Sequence, residues 1–360
     1  MGAYLYIPWF KLDQWDVPLP HLVGIVLALS ALAALNPKWR SSALSTVVTA
    51  CGAAAVAWFF FDVQEVPIQP FGVLVATGVL LGTRVAEHQA EKRGIDRAYL
   101  ADFITHVIVI GFVSCYFLNG LFYERDALME ILADPRKLFE KWLGLSSFGG
   151  FIGAAFAVWV WKKRRKLPAL HLADLCCWVF PLGWIFGRMG CFVVHDHPGA
   201  QTTFFLGVEN WGGQEGVIRH DLGFYEVLFS IVVFAVFWRL RDRRDLPTGF
   251  FCAVLPLVYT PFRFGLDFLR ATDVSNPDTR YLGLTPGHYA SIGFFVFAVL
   301  FLMHVRRQGV LEVPEEMRLK KGEGDEDGAK DGEGAEDGDE KPEPKKKTSS
   351  SSKKKKRKKK

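Results

Sequence analysis

The chain has 360 residues, of which 50% are hydrophobic and 22% are charged, with a formal net charge of +5. The apolar residues are gathered before about Val310 in runs that approach the roughly 20 residues a helix needs to cross a bilayer core. This distribution excludes a soluble globular protein, and it is no nucleic-acid signal, because most basic residues lie in loops or in the tail.

About nine apolar runs predict an all-α, polytopic integral membrane protein. The runs are Leu19–Leu35, Ala43–Phe61, Phe71–Val85, Ala101–Tyr123, Phe148–Trp161, Ala173–Val194, Phe224–Trp238, Phe250–Leu269 and Tyr289–Val305. The loops after the first, third, fifth, seventh and ninth runs are basic. The positive-inside rule therefore places the N-terminus outside and the C-terminal tail in the cytoplasm.

Composition divides the chain into three regions. Residues 1–62 are predicted to form an interfacial segment and a transmembrane hairpin, and residues 63–310 a transmembrane core. Residues 311–360 are acidic and then lysine-rich, which predicts a disordered cytoplasmic tail. Its lysine run either contacts anionic lipid or an acidic partner, or is a solvated tail that helps to fix the topology. The 6 cysteines have no spacing typical of a disulfide framework or a metal site, so no metal or other cofactor is predicted.

An arginine interrupts the sixth apolar run. Arg188 lies several residues inside it, where insertion costs roughly 2.5–3.5 kcal/mol. The side chain could extend to the membrane interface, or it could face a polar cavity and hold an anion. Its depth in the run favours the cavity.

The eighth run carries a second set of charges. Tyr259, Arg263, Asp267 and Arg270 are spaced by four, four and three residues, which places them on one face of a helix. Asp267 can pair with either arginine, which alone would give a structural ion pair. Two arginines against one aspartate leave a positive charge, however, and arginine matches phosphate oxygens well. Together with Arg188, this face predicts a site for a phosphate-bearing lipid headgroup.

Five segments resemble, in the same order, motifs of the prolipoprotein diacylglyceryl transferases. They are Phe148-Gly149-Gly150 (histidine-glycine-glycine in the family), Gly187 to Phe192 (glycine-arginine-x-glycine-asparagine-phenylalanine), His220 to Glu226, Tyr259 to Asp273, and Thr285 to His288. The resemblance covers roughly Ile68 to Val310. It implies seven spans, matching the third to the ninth run, with the first two runs as an added N-terminal hairpin.

The family moves the diacylglyceryl group of phosphatidylglycerol onto the lipobox cysteine thiol of a secreted precursor. The resemblance therefore implies a transferase of lipoprotein biosynthesis in the bacterial inner (plasma) membrane, with phosphatidylglycerol, a prolipoprotein signal peptide and membrane lipids as partners. The residues expected to bind the substrate are Arg188, Arg263, Arg270, Asp267, Glu226, Gly149 and Gly150. Tyr259 is expected to belong to the catalytic residues.

This sequence departs from the family pattern where a base is needed. The family histidine is Phe148 here, and the signature asparagine is Cys191. A substitute base is predicted among His195 and His197, with Asp196 orienting it, while His220 competes as the candidate carried over from the family. These residues could equally be a polar loop. A metal ion is disfavoured, because three adjacent residues cannot easily face one ion.

Two other functions stay open at this point. The missing histidine is compatible with a non-catalytic paralogue that binds anionic phospholipid or lipoprotein. Charges within membrane spans also occur in transporters, but the broken helices in paired positions that are typical of transport are not evident.

Overall fold

The computed structural model describes residues 6–13, 15–34, 51, 65–122, 124–135, 137, 147–274, 278 and 280–319. Most of them are helical. The helices are α1 (Leu19–Ala34), α2 (Pro70–Lys92), α3 (Arg97–Phe122), α4 (Arg125–Ala133), α5 (Ser147–Arg165), α6 (Leu170–Val194), α7 (Leu222–Leu240), α8 (Phe250–Asp267) and α9 (Pro286–Gln308). Four short strands are β1 (Trp15–Pro18), β2 (Glu65–Ile68), β3 (Pro198–Gln201) and β4 (Arg219–Asp221).

Among the described residues, six helices are long and apolar enough to cross a membrane: α2, α3, α6, α7, α8 and α9. The predicted multi-pass membrane protein is thereby confirmed. The fifth predicted span is also a helix, α5, but its last turn consists of four basic residues. The second predicted span, residues 43–61, lies outside the described residues except for Cys51.

Helix α6 is central to the bundle, because it packs against both α2 and α7 and also contacts α8. Two further pairs of helices pack closely against each other, α3 with α5 and α8 with α9. The main hydrophobic cluster includes Trp161, Trp178, Phe237 and Phe251, all fully or almost fully buried. The Trp178 indole donates to the Phe237 carbonyl at 2.9 Å, which satisfies its polar atom inside this cluster.

We call the end of the bundle that carries β3 and β4 the site end. Strand β3 pairs antiparallel with β4, and its other edge bonds to the segment after α8, where the Ala200 amide donates to the Leu269 carbonyl at 2.7 Å. Strand β3 follows α6, and β4 leads directly into α7. This small sheet therefore holds the ends of α6, α7 and α8 together.

The N-terminal segment also reaches the site end. The Ile7 amide donates to the Gly207 carbonyl, and the Leu12 amide to the Val193 carbonyl, both at 3.0 Å. Strands β1 and β2 pair antiparallel, so the chain leaves and returns to one place between them. That arrangement is compatible with the predicted N-terminal hairpin, which stays a prediction.

At the opposite end, which we call the basic end, the chain continues beyond α9 in ordered contacts. The Asp96 amide donates to the Met317 carbonyl and the Leu319 amide to the Gly94 carbonyl, both at 2.9 Å, and Met317 is fully buried. We predicted a disordered tail from residue 311. Met317 anchors the stretch after α9 to the α2–α3 turn, so the described residues up to Leu319 do not belong to such a tail. Residues 320–360 lie outside the described part of the chain.

Candidate active site

Glu226, in the second turn of α7, is the centre of the candidate site and is fully buried. Its carboxylate lies 2.8 Å from Nε of Arg188 and 2.9 Å from Nη1 of Arg263. The Tyr259 hydroxyl donates to it at 2.7 Å, and the Trp184 indole at 3.3 Å. A buried carboxylate is tolerated when charged partners and hydrogen bonds surround it in this way.

Local structure brings Glu226 to Arg188, although 38 positions of sequence separate them. Asp221 caps the start of α7 by accepting the Phe224 amide at 2.9 Å. Gly223 lies so close to the last turn of α6 that an added Cβ would be 3.1 Å from the Cβ of Cys191. The first turns of α7 consequently pack against the end of α6, where Arg188 lies.

Arg188 is buried and directed inward. Its guanidinium lies 4.6 Å from the ring centroid of Trp184, one turn earlier on α6, which is a cation–π contact. Its Nη1 lies 3.7 Å from Sγ of Cys191 and 3.5 Å from Nε2 of His197. Of the two positions considered for Arg188 from sequence, the structure therefore shows the one inside the protein.

The charged face of α8 forms as the spacing predicts. Arg263 lies 2.9 Å and Arg270 3.5 Å from the same Asp267 carboxylate oxygen, and Arg270 also contacts Asp278. The predicted excess of positive charge is wrong, because Glu226 and Asp278 supply two more carboxylates. Each of the three arginines thus has an acidic partner, and the guanidinium groups are held in fixed positions.

Asp267 has a further partner on α9. The Thr285 hydroxyl, at the N-cap of α9, donates to Asp267 at 2.9 Å, and the Thr285 amide donates to Nδ1 of His288 at 3.1 Å. Gly287 passes so close to Asp267 that a Cβ there would collide with the carboxylate. The motif from Thr285 to His288 therefore fixes the acidic partner of Arg263.

The structure separates the three candidate histidines. His195 is buried, with Nδ1 2.7 Å from Asp221, Nε2 2.6 Å from the Phe10 carbonyl, and its ring stacked on Trp9 at 4.1 Å. Both of its nitrogens are therefore occupied by acceptors. His220 bonds through Nδ1 to the Tyr225 hydroxyl at 2.7 Å, and burial lowers its pKa.

His197 is the histidine that contacts the arginine cluster. Its Nδ1 contacts the Asp196 carboxylate, and its Nε2 faces the Arg188 guanidinium. Because Asp196 accepts and Arg188 only donates, these partners favour the tautomer with the hydrogen on Nδ1 and a lone pair on Nε2. The His197 side chain is 24% exposed, so a substrate can reach it.

Gly149 and Gly150 serve helix packing in this structure. An added Cβ on Gly149 would lie 2.7 Å from the Ser114 carbonyl, and one on Gly150 would lie 2.9 Å from Sγ of Cys115. These glycines let α5 approach α3 closely, and their predicted contact with substrate stays a prediction. The side chain of Phe148 lies outside the described part of the chain.

The sequence analysis did not place three partners of the cluster, Trp184, Cys191 and Thr285, among the expected site residues. Trp184 and Cys191 lie four residues before and three residues after Arg188, so helical spacing from the anomalous arginine could have found both. Thr285 had a weaker signal, a threonine followed by proline at the start of an apolar run.

Comparison with known proteins now decides the family. The sequence model of the family described as prolipoprotein diacylglyceryl transferase matches residues 59–304. The chain belongs to the prolipoprotein diacylglyceryl transferase family. Among its relatives, the phosphatidylglycerol–prolipoprotein diacylglyceryl transferase of Chromohalobacter salexigens is 29% identical over 249 residues, which is 67% of this chain and 89% of the relative.

Two other relatives carry the same name. That of Chlorobaculum tepidum is 33% identical over 227 residues, covering 59% of this chain and 78% of its own length. That of Stenotrophomonas maltophilia is 28% identical over 300 residues, covering 71% and 96%. The motif-based prediction of a diacylglyceryl transferase family is confirmed, and the arginine–glutamate cluster lies within the matched region.

Proposed function

We propose that this member of the prolipoprotein diacylglyceryl transferase family transfers the diacylglyceryl group of phosphatidylglycerol to the lipobox cysteine of a prolipoprotein. The observation that carries the proposal is the buried carboxylate of Glu226, which binds Arg188, Arg263 and Tyr259 at once. The names of the relatives indicate the reaction class, and the arginines of this cluster can stabilise the charge that develops in such a reaction.

The leaving group explains the arginines. When the bond between the glyceryl carbon and the phosphate oxygen breaks, glycerol phosphate departs with an additional negative charge. Guanidinium groups that are already fixed stabilise this charge without reorganising, which is the most effective form of electrostatic catalysis. Glu226 fixes Arg188 and Arg263, while Arg270, near the exposed Asp278, is placed to meet the headgroup as it enters.

The acceptor thiol needs a base beside those arginines that can take its proton. His197 is better placed for this role than His195 or His220, because it contacts Arg188 and presents a lone pair on Nε2. Asp196 orients its ring. Tyr259 donates to Glu226 and so helps to hold the carboxylate in place.

The side of the membrane on which the site lies follows from the charge of the loops. With the basic end in the cytoplasm, the site end faces outward from the bacterial inner membrane, where secreted precursors arrive. Reporter fusions at Pro168 and Pro247 should be cytoplasmic, and one at Gly212 should be external. The reverse pattern would contradict the orientation.

The decisive assay uses purified full-length protein in phosphatidylglycerol vesicles with a fluorescent lipobox peptide. We expect a thioether-linked product, with loss of at least about 100-fold in rate for Arg263→Gln. Arg243→Gln is the matched control, because Arg243 is exposed at the basic end, and it should retain the wild-type rate.

A wild-type protein that binds phosphatidylglycerol but modifies none of several lipobox peptides would contradict this function. That result would favour the non-catalytic lipid-binding paralogue.

A further inference from the structure

Both ring nitrogens of His195 face hydrogen-bond acceptors. Nδ1 lies 2.7 Å from the Asp221 carboxylate, and Nε2 lies 2.6 Å from the backbone carbonyl of Phe10. A neutral imidazole carries one N–H and one lone pair, so it would donate to one of these acceptors and direct its lone pair at the other. The imidazolium donates from both nitrogens. The two contacts together therefore assign the charged form to His195.

The charge on this ring is buried but has partners. The side chains of His195 and Asp221 are each 1% exposed, so two opposite charges are buried in contact with each other. The indole of Trp9 stacks on the His195 ring with centroids 4.1 Å apart, and the face of an indole attracts a cation. Trp211 approaches the same ring at 5.0 Å. Three separate parts of the chain thus hold the ring in one position.

One of these parts is the N-terminal segment, residues 6–13, which we call the strap. Its backbone is bonded at two points, because Ile7 donates to a loop carbonyl and Leu12 donates to a carbonyl in the last turn of α6. The stacked indole and the carbonyl that accepts from Nε2 lie between these two points, and both contact His195. The strap therefore lies across the turn that follows α6, with His195 as its buried contact.

The turn beneath the strap carries His197 to Arg188. His195 has a left-handed backbone, with φ 51°, which is uncommon outside glycine and persists where surrounding contacts fix it. Its amide bonds back to the Phe192 carbonyl at 3.3 Å. The chain reverses there, so that His195 faces Asp221 while His197 faces Arg188. Contacts that hold the His195 ring therefore also fix the start of the segment that carries His197.

We propose that His195 is a positioning residue, whose charged ring binds the strap to Asp221 and thereby holds His197 where it can take the proton of the acceptor thiol. The inference rests on the proposed function, in which Nε2 of His197 is the base. His195 does not take that proton itself, because neither of its nitrogens keeps a lone pair.

His195→Gly tests the side chain separately from the turn. Glycine adopts a left-handed backbone without steric cost, so this variant can form the same turn. With full-length protein in phosphatidylglycerol vesicles and the fluorescent lipobox peptide, we expect kcat to fall at least about tenfold and KM for the peptide to stay within about twofold, because the base is misplaced. His304→Gln is the matched control, since His304 is an exposed histidine of α9, and it should keep the wild-type kcat.

Docking of the strap is measured without the reaction. Lys11 is an exposed residue of the strap, and trypsin cleavage after it releases a fragment that mass spectrometry quantifies. The cleavage rate follows the population of undocked strap when docking is fast relative to cleavage. In detergent, we expect His195→Gly to be cleaved after Lys11 at least about tenfold faster than wild type and His304→Gln.

The protonation of His195 and its stack on Trp9 have readouts of their own. In ¹⁵N-histidine spectra at about pH 7.5, where an unperturbed histidine is mostly neutral, we expect one ring with a hydrogen on both nitrogens, and this signal should be missing from His195→Gly. Trp9→Ala should also lower kcat, and the double variant should be no slower than His195→Gly alone, because the two residues act as one unit.

Equal cleavage after Lys11 in wild type and His195→Gly would overturn the docking. Faster cleavage with an unchanged kcat would overturn the positioning role, and a His195 ring with a single N–H would overturn the charged form. Thermal unfolding shows whether each variant is folded. If His195→Gly does not fold, Trp9→Ala takes its place with the same expected changes in cleavage and kcat.

These outcomes are separate from those of the proposed function. A protein whose strap is protected from trypsin only when His195 is present, yet which modifies no lipobox peptide, would support the docking and contradict the proposed function. A protein that transfers lipid equally well with and without the His195 side chain would refute the positioning role and leave the transferase function standing.

Discussion

Arginines are clustered at both ends of this protein, but their partners differ between the two ends. At the site end, Arg188 and Arg263 face the carboxylate of Glu226, which is fully buried. At the basic end, Arg93 donates to the Arg241 carbonyl at 3.2 Å, and Arg244 to the Lys92 carbonyl at 2.5 Å. Those basic-end contacts satisfy backbone carbonyls that the ends of α2 and α7 leave open.

The acidic residues of the two ends differ in the same way. Asp174 accepts the amides of Phe251 and Cys252 at 2.7 and 3.2 Å, so it caps the start of α8, while Arg93 is 3.9 Å away. Glu226 binds side chains instead of backbone. A cavity of about 110 Å³ lies at the basic end, beside Arg93, His171 and Asp174. A cavity lined by charged residues is therefore not enough to identify an active site. Whether the charged groups bind backbone atoms or other side chains is more informative.

Glu226→Gln should have the largest effect on both stability and transfer rate, because it removes the buried carboxylate that distinguishes the site end. It leaves two buried arginines without their shared carboxylate, so we expect a loss of about 3–5 kcal/mol in the free energy of unfolding and a fall of at least about 100-fold in transfer rate. Chemical unfolding and the peptide assay measure the two effects. A variant that keeps the wild-type free energy of unfolding and transfer rate would show that the shared carboxylate of Glu226 is dispensable.

Arg188→Lys should have the next largest effect. Lysine keeps the charge but lacks the planar group that stacks on Trp184 and reaches Glu226. We expect a transfer rate roughly tenfold lower, with little change in the affinity for the lipobox peptide. An unchanged rate would mean that position 188 contributes only charge.

Asp174→Ala tests the basic end as the counterpart. Loss of the cap should lower the free energy of unfolding by about 1–2 kcal/mol and leave the rate per folded molecule unchanged. Rates are compared after the folded fraction is measured by thermal unfolding. A lower rate per folded molecule would show that the two ends are functionally coupled.

Asp273 gives the smallest expected effect, since it is 47% exposed. The Arg219 guanidinium bonds to its carboxylate and lowers its pKa to about 2. Its folded pKa is thus below the unfolded value of about 3.9, so the pair stabilises the fold above about pH 4, and this stabilisation is lost as the pH falls toward 2. The unfolding temperature of Asp273→Asn should be below that of wild type at pH 5, and the two should converge near pH 2. A difference that does not vary with pH would contradict the assigned cause.

Sequence alone predicted the six spans that the structure shows as long apolar helices, the unusual position of Arg188 inside one of them, and the shared face of Arg263, Asp267 and Arg270. These depend on apolar run length and helical spacing, which are local properties. The family followed from short motifs in a fixed order, and comparison confirmed it. The base was predicted only as a set of histidines, because nothing in the sequence distinguished among them.

Only the tertiary structure decided which partners meet. Glu226 lies on a different helix from Arg188, and periodicity within one helix says nothing about distances to another. His195 and His197 are almost adjacent in sequence, yet the left-handed backbone at His195 separates their side chains, one facing Asp221 and the other Arg188. The same reversal brings Cys191 to Asp196 and His197. The turn at His195, whose side chain contacts Asp221 and the N-terminal residue Phe10, thus belongs to the arrangement that the residue pattern left open.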